Sequence, residues 1–241
     1  MKGFFVRLAI VAAALLAPSL GIAGETFRLL RLDGFAVKWG MPELGLPAQV
    51  SYAFVAAPIS FPEAHNCKSM RPFAELARTA KPSVKALEQE VQAAFAAWQQ
   101  AAAIEFRRSQ DPQEADILIG VLAAPTGIAF SNVSYRQPTA PDVAVAQLRQ
   151  ALICFSPSKS WSVGFDGDLD TIDLRYAAMH EIGHAIGLNH PGPEGDVMSF
   201  KYLERFDQLQ PGDRAGAAAL YGVRLSTPAT GAGVVKAVVR N

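Results

Sequence analysis

The sequence is poor in several things, and each scarcity narrows what the chain can do. Its 241 residues include only two cysteines and four histidines. No sign of charge dominates, because 22 basic residues balance 22 acidic ones and no long basic run occurs. A chain without a global field has little to attract nucleic acid or an anionic membrane. Internal repeats and glycine-rich repeat arrays are absent, which sets repeat architectures aside. After the first two dozen residues there is no long apolar run, so no stable membrane insertion is expected of the mature part.

What is present begins with an export signal over residues 1–23. Lys2 and Arg7 form a positive start, Leu8 to Leu16 a short apolar stretch, and Gly21-Ile22-Ala23 a small-residue cleavage site. The apolar stretch is marginal for a bilayer, which needs about 20 residues. An uncleaved anchor is the alternative. Export implies a secreted or periplasmic location, and oxidising compartments favour disulfides. Cys67 and Cys154 are therefore expected to pair, closing a loop long enough to stabilise by about 4–5 kcal/mol in the chain-entropy model. Two free thiols are the alternative.

Half the residues are apolar, enough for one sizeable core. We read a short segment at 24–34, one domain over 35–222, and a flexible tail over 223–241. Alternation of Val50, Tyr52 and Phe54 predicts a strand over 49–55. A loop holding His65 and Cys67 is expected over 57–82. Val84, Leu87, Val91, Phe95 and Trp98 recur at helical spacing and predict a helix over 83–103. Strands are expected at 104–107 and 116–121, with weaker candidates at 127–133 and 151–155. A second helix is expected over 174–188, with Asp173 or Thr171 as its N-cap. A third, over 210–221, has Pro211 in its first turn and Gly222 at its end. This order predicts an α/β (α+β) sandwich with a largely consecutive sheet and three main helices.

The second helix carries the chemistry. His180 and His184 are four residues apart, so their imidazoles share one helix face and can bind one zinc ion. Glu181 sits beside the first histidine, suited to reach a water rather than the metal. Gly187 comes where the helix should stop, because glycine accepts the left-handed conformation that turns the chain back. His190 can then return as a third ligand. Three protein ligands leave one position open, as in catalytic rather than structural zinc sites. Glu181 would act as general base and proton donor in turn.

The run His180-Glu181-Ile182-Gly183-His184-Ala185-Ile186-Gly187-Leu188-Asn189-His190 resembles the zinc signature of the metzincin metallopeptidases, and Met198 resembles the methionine of the turn beneath their metal. His190-Pro191-Gly192 is similar to the serralysins. The short loop from His190 to Met198 resembles instead the matrixins (peptidase M10 type), as do Lys38-Trp39, Val91 to Trp98 with Ile104-Glu105-Phe106, Ala115-Asp116-Ile117, and Leu209 to Gly222. Phe200 stands where serralysins and astacins place a metal-binding tyrosine, so a fifth protein ligand is not expected.

The resemblance implies a metzincin-like mixed sheet with the zinc helix in the middle. It also implies a secreted zinc metalloendopeptidase with one catalytic zinc and a protein or peptide substrate, acting as a monomer. Segment 127–133 is the expected edge strand along which a substrate would pair, and Tyr202 the tyrosine beside the pocket receiving the residue after the cut. With only His65 outside the motif, the second, structural zinc of matrixins is not expected. Cys67 as a latency thiolate on the zinc is a further alternative. Asp166, Asp168 and Asp170 have a spacing that can bind calcium or form a solvated acidic loop capping the following helix. Two other functions stay open: a catalytically inactive zinc-binding or adhesion module, and a hydrolase of a non-protein envelope amide.

Overall fold

The alternating apolar positions of residues 48–54 build a strand of the main sheet, next to one of its edges. A computed structural model of the chain describes residues 27–78, 82–124, 126–140, 142–165, 170–204 and 206–225. The expected signal peptide, most of the expected tail and residues 166–169 of the acidic stretch lie outside these. In chain order come β1 (Arg28–Leu29), β2 (Arg31–Leu32), β3 (Phe35–Lys38), β4 (Ala48–Phe54), β5 (Ile59–Ser60) and β6 (Ser69–Arg71). A 3-10 helix (Phe73–Arg78) leads to α1 (Val84–Ala101), β7 (Ile104–Arg108), β8 (Ile117–Leu122), β9 (Ala129–Tyr135) and β10 (Val145–Phe155). β11 (Trp161–Ser162), β12 (Ile172–Asp173), α2 (Leu174–Ala185), β13 (Leu188–Asn189) and α3 (Pro211–Tyr221) complete the chain.

The mixed sheet and three helices are those expected, but the strand order is not consecutive. It runs β7-β4-β8-β10, all parallel, with β9 antiparallel on β10. Parallel neighbours need long crossovers, whereas antiparallel ones can turn directly. The crossover through α1 returns β7 to one side of β4, and β8 then takes the other side. Residues 57–82, expected to be a loop, contain β5, β6 and the 3-10 helix. β6 adds antiparallel to the end of β8, and its three residues are too few for a periodic signal.

Apolar side chains on one face of the sheet pack against α1 and α2. Tyr52 of β4 stacks on Phe95 of α1 at 4.2 Å, and Ser83 caps α1 by accepting the Ala86 N–H. The other face is covered by the segment 59–70. Ala53, Val55, Leu118 and Leu152 pack there with Met70 and with the paired Cys67 and Cys154, whose Cα atoms are 5.9 Å apart. Because both faces are covered, all six residues of β8 are buried. The segment before Phe35, too short to fold alone, is held by the domain: β1 pairs with β13 and β2 with β3.

Candidate metal centre

Helix α2 starts where the Asp173 carboxylate accepts the Tyr176 N–H at 2.8 Å. Its sides are buried by α1, β9 and β10, and the Trp98 indole donates to the Met179 carbonyl at 2.9 Å. It ends at Ala185, two residues before Gly187, whose φ is +106°. A side chain at Gly187 would run into the Val37 carbonyl, so only glycine fits this close approach. The last carbonyls of the helix lack partners within it. Two distant side chains supply them: the Trp39 indole donates to Ala185 O at 2.9 Å and the Tyr221 hydroxyl to Ile186 O at 2.6 Å. With the helix end fixed, β13 carries the chain back to His190.

The three expected ligands then converge. The Nε2 atoms of His180, His184 and His190 stand 3.0 to 3.2 Å from one another. The Nδ1 of His180 meets the Val197 carbonyl at 2.7 Å, and that of His184 meets the Leu188 carbonyl at 2.8 Å. A carbonyl only accepts, so in both rings Nδ1 bears the proton and Nε2 presents a bare lone pair. The two lone pairs face each other across 3.2 Å, with the His190 Nε2 within 3.1 Å of both, a set of atoms that an electropositive centre between them would hold together. Zinc–nitrogen bonds of about 2.0–2.1 Å in a tetrahedron put ligand atoms about 3.3 Å apart, so the donor set fits zinc.

The electrostatics agree. Burial holds His184 down to about 3 and His190 to about 4, each helped by the neighbouring His180, and burial also lowers His180. All three rings are thus neutral near pH 7, the form that binds metal. Burial pushes Glu181 up to about 7, while a hydrogen bond from Ser131 opposes that rise. One Glu181 carboxyl oxygen is buried without a partner. A divalent cation beside it would favour the carboxylate.

Met198 lies beneath this site with its sulfur against Gly183. The turn carrying it is held by Asp213 of α3, whose carboxylate accepts the N–H groups of Val197 and Met198, each at 3.0 Å, and of Gln210 at 2.8 Å. The Val197 carbonyl that orients His180 belongs to that same turn. Sequence reasoning missed Asp213; its signal was an acidic residue in the first turn of α3, which also suits the helix dipole.

A cavity of about 450 Å³ opens over the histidines, walled by the start of β9, Tyr176, Ala177 and Tyr202. Tyr202 packs edge-on against Tyr176 and accepts the Asp173 N–H at 2.8 Å, while Phe200 stands exposed at the rim. Segment 127–133 was expected to form an edge. β9 pairs only with β10 among the described strands, and every one of its residues is half-buried. His65 lies apart, in a second recess beside β9. Cys67 cannot reach the histidines as a latency thiolate, because it is buried with Cys154 on the opposite face of the sheet.

The matrixin model of peptidase family M10 matches residues 73–222. Matrix metalloproteinase-19 of Mus musculus is 38% identical over 74 residues, covering 30% of this chain and 14% of that protein. Metalloendoproteinase 1-MMP of Arabidopsis thaliana is 31% identical over 140 residues, covering 54% of this chain and 36% of its own length. Matrix metalloproteinase-20 of Homo sapiens is 30% identical over 148 residues, covering 59% and 30%. The chain therefore spans well under half the length of these relatives. The family match takes in the histidine triad, the methionine turn and α3, and with more than half of the sequence inside it, this chain belongs to the matrixins, a zinc-dependent family of metallopeptidases.

Proposed function

We propose that this chain is an exported zinc endopeptidase in which His180, His184 and His190 hold one zinc ion and Glu181 is the general base. The observation that carries this reading is the convergence of three Nε2 atoms, two of them left bare because backbone carbonyls take the Nδ1 protons of their rings. When bound, zinc supplies a Lewis acid that makes hydroxide accessible near neutrality and polarises a carbonyl.

The remaining steps belong to the chain. Glu181 takes the proton of the attacking water and returns it to the leaving amine; its unpartnered carboxyl oxygen leaves an acceptor free for this. The free edge of β9 pairs with the backbone of an extended protein or peptide substrate, whose side chains are read alternately. The wall formed by Tyr176 and Tyr202 receives the side chain after the cut. Met198 supports the metal centre from below. A disulfide between Cys67 and Cys154 suits an exported protein, which we expect to act as a monomer. Among the described residues no helix is long and apolar enough to cross a membrane.

The test is direct. Purified protein should contain about one zinc per chain, and a chelator should abolish cleavage of a peptide library. Glu181→Ala should keep the zinc and lose about 10²–10⁴-fold in turnover. A zinc-free preparation, or a variant cleaving at the wild-type rate, would sink the assignment.

A further inference from the structure

Side chains alternate along β9, and two of its neighbours are used in opposite directions. Asn132 faces away from the helices, its side-chain oxygen accepting the N–H groups of Asn66 at 2.9 Å and Cys67 at 2.7 Å. Ser131 faces α2, and its hydroxyl donates to the Glu181 backbone carbonyl at 2.7 Å. A helix carbonyl has a second lone pair for such a contact. Ser131 therefore holds the backbone of Glu181, the acidic residue beside the histidines, to β9.

Its place along the strand matters too. Ser131 borders the cavity over the histidines and also the second recess, of about 530 Å³, which continues along β9 past Asn132 and Ser134. A chain lying along the free edge of β9 passes Ser131 on its way from one to the other.

We infer that Ser131 is a positioning residue of this site: its hydroxyl tethers the edge strand β9 to Glu181 and so sets how a peptide held on β9 meets that carboxylate. This rests on the proteolytic reading above. The tether joins the two partners of the reaction that come from different elements, the strand that would hold the substrate and the helix that bears the base. Reaction rates depend steeply on such spacing, a misplacement of about 1 Å costing about 10²-fold. A serine whose hydroxyl only filled a polar gap would lack this consequence.

The experiment compares wild type, Ser131→Ala and Ser131→Thr, all zinc-loaded, on the fluorogenic peptide that a library selects as best cleaved. Ser131→Ala should lower kcat about ten-fold or more with KM changed less than about three-fold. Its zinc content should be unchanged and its Tm within about 2 °C of wild type. Amide exchange in β9 should accelerate, a readout independent of turnover. Ser131→Thr keeps the hydroxyl and should restore both kcat and exchange. Wild-type kcat and wild-type β9 exchange in Ser131→Ala would overturn the inference, as would a loss of kcat matched by loss of zinc or a collapse in Tm. Absence of cleavage by wild type would reject the proteolytic reading instead, while the exchange comparison still decides whether the tether exists.

Discussion

Gly183 is a residue whose neighbours leave no room for a side chain. A Cβ built on it would occupy the position of the Met198 sulfur and come within 2.9 Å of the Trp98 ring. Both neighbours are buried, and neither is the loose end of an exposed chain. Overpacking of this kind costs about 1–3 kcal/mol. Gly183→Ala should therefore lower Tm by several degrees and, by shifting the turn that orients His180, weaken zinc binding at least ten-fold. Competition with a metallochromic chelator measures the second effect. Unchanged zinc affinity would separate Met198 from the metal site. Spacing alone marked Gly183 as one of two variable positions between His180 and His184. Only the approach of a chain segment fifteen residues away explains its identity.

At the scale of elements, the joint between β9, β10 and the covering segment 59–70 is the most consequential. Cys67 lies on that segment and Cys154 on β10, and Asn132 of β9 holds the backbone next to Cys67. The Cα separation of 5.9 Å suits a disulfide, and removing a native one from a small exported domain costs about 2–5 kcal/mol. Reduction, or Cys154→Ser, should lower the urea midpoint accordingly. The zinc content should be unaffected, because the pair lies across the sheet from the histidines. Equal midpoints before and after reduction would remove the cross-link. The long helices α1 and α3 and the strand β4 were legible, since their periodic patterns run over many residues. The two- and three-residue strands β5 and β6 carry no such pattern, and the order of the sheet depends on crossovers that leave no mark on local spacing.

For the whole molecule, the metal centre links stability to acid and to zinc. In the metal-free chain, burial keeps His184 neutral to about 3 and His190 to about 4, and lowers His180, against 6.5 for a free ring. Between pH 6.5 and 4 the unfolded chain takes up protons there that the folded chain refuses, so folding weakens as pH falls. Glu181 acts the other way. Its folded value of about 7 lies above the ordinary 4.5, so its contribution favours folding at low pH and is lost as pH rises towards 7. Three rings oppose one carboxyl, and the rings should win. The urea midpoint of zinc-free protein should drop from pH 7 to pH 5. Adding zinc at pH 7 should raise Tm with the logarithm of ligand excess, by about 4 kcal/mol of stability at a thousand times Kd. A flat midpoint across that pH range would show that the rings are not buried neutral.

The sequence by itself determined which three histidines converge, the acidic residue beside them and the helix that carries them. Helical spacing and the left-handed freedom of glycine are local properties, set within the eleven residues from His180 to His190. The pairing of the N-terminal segment with β13, the Asp213 clamp on the methionine turn, the carbonyls that orient the rings and the Ser131 contact with Glu181 were decided only by the tertiary structure. Each joins segments far apart in the chain, or on different elements, through hydrogen bonds whose partners are chosen by packing; no residue pattern along the sequence encodes which distant atom will arrive.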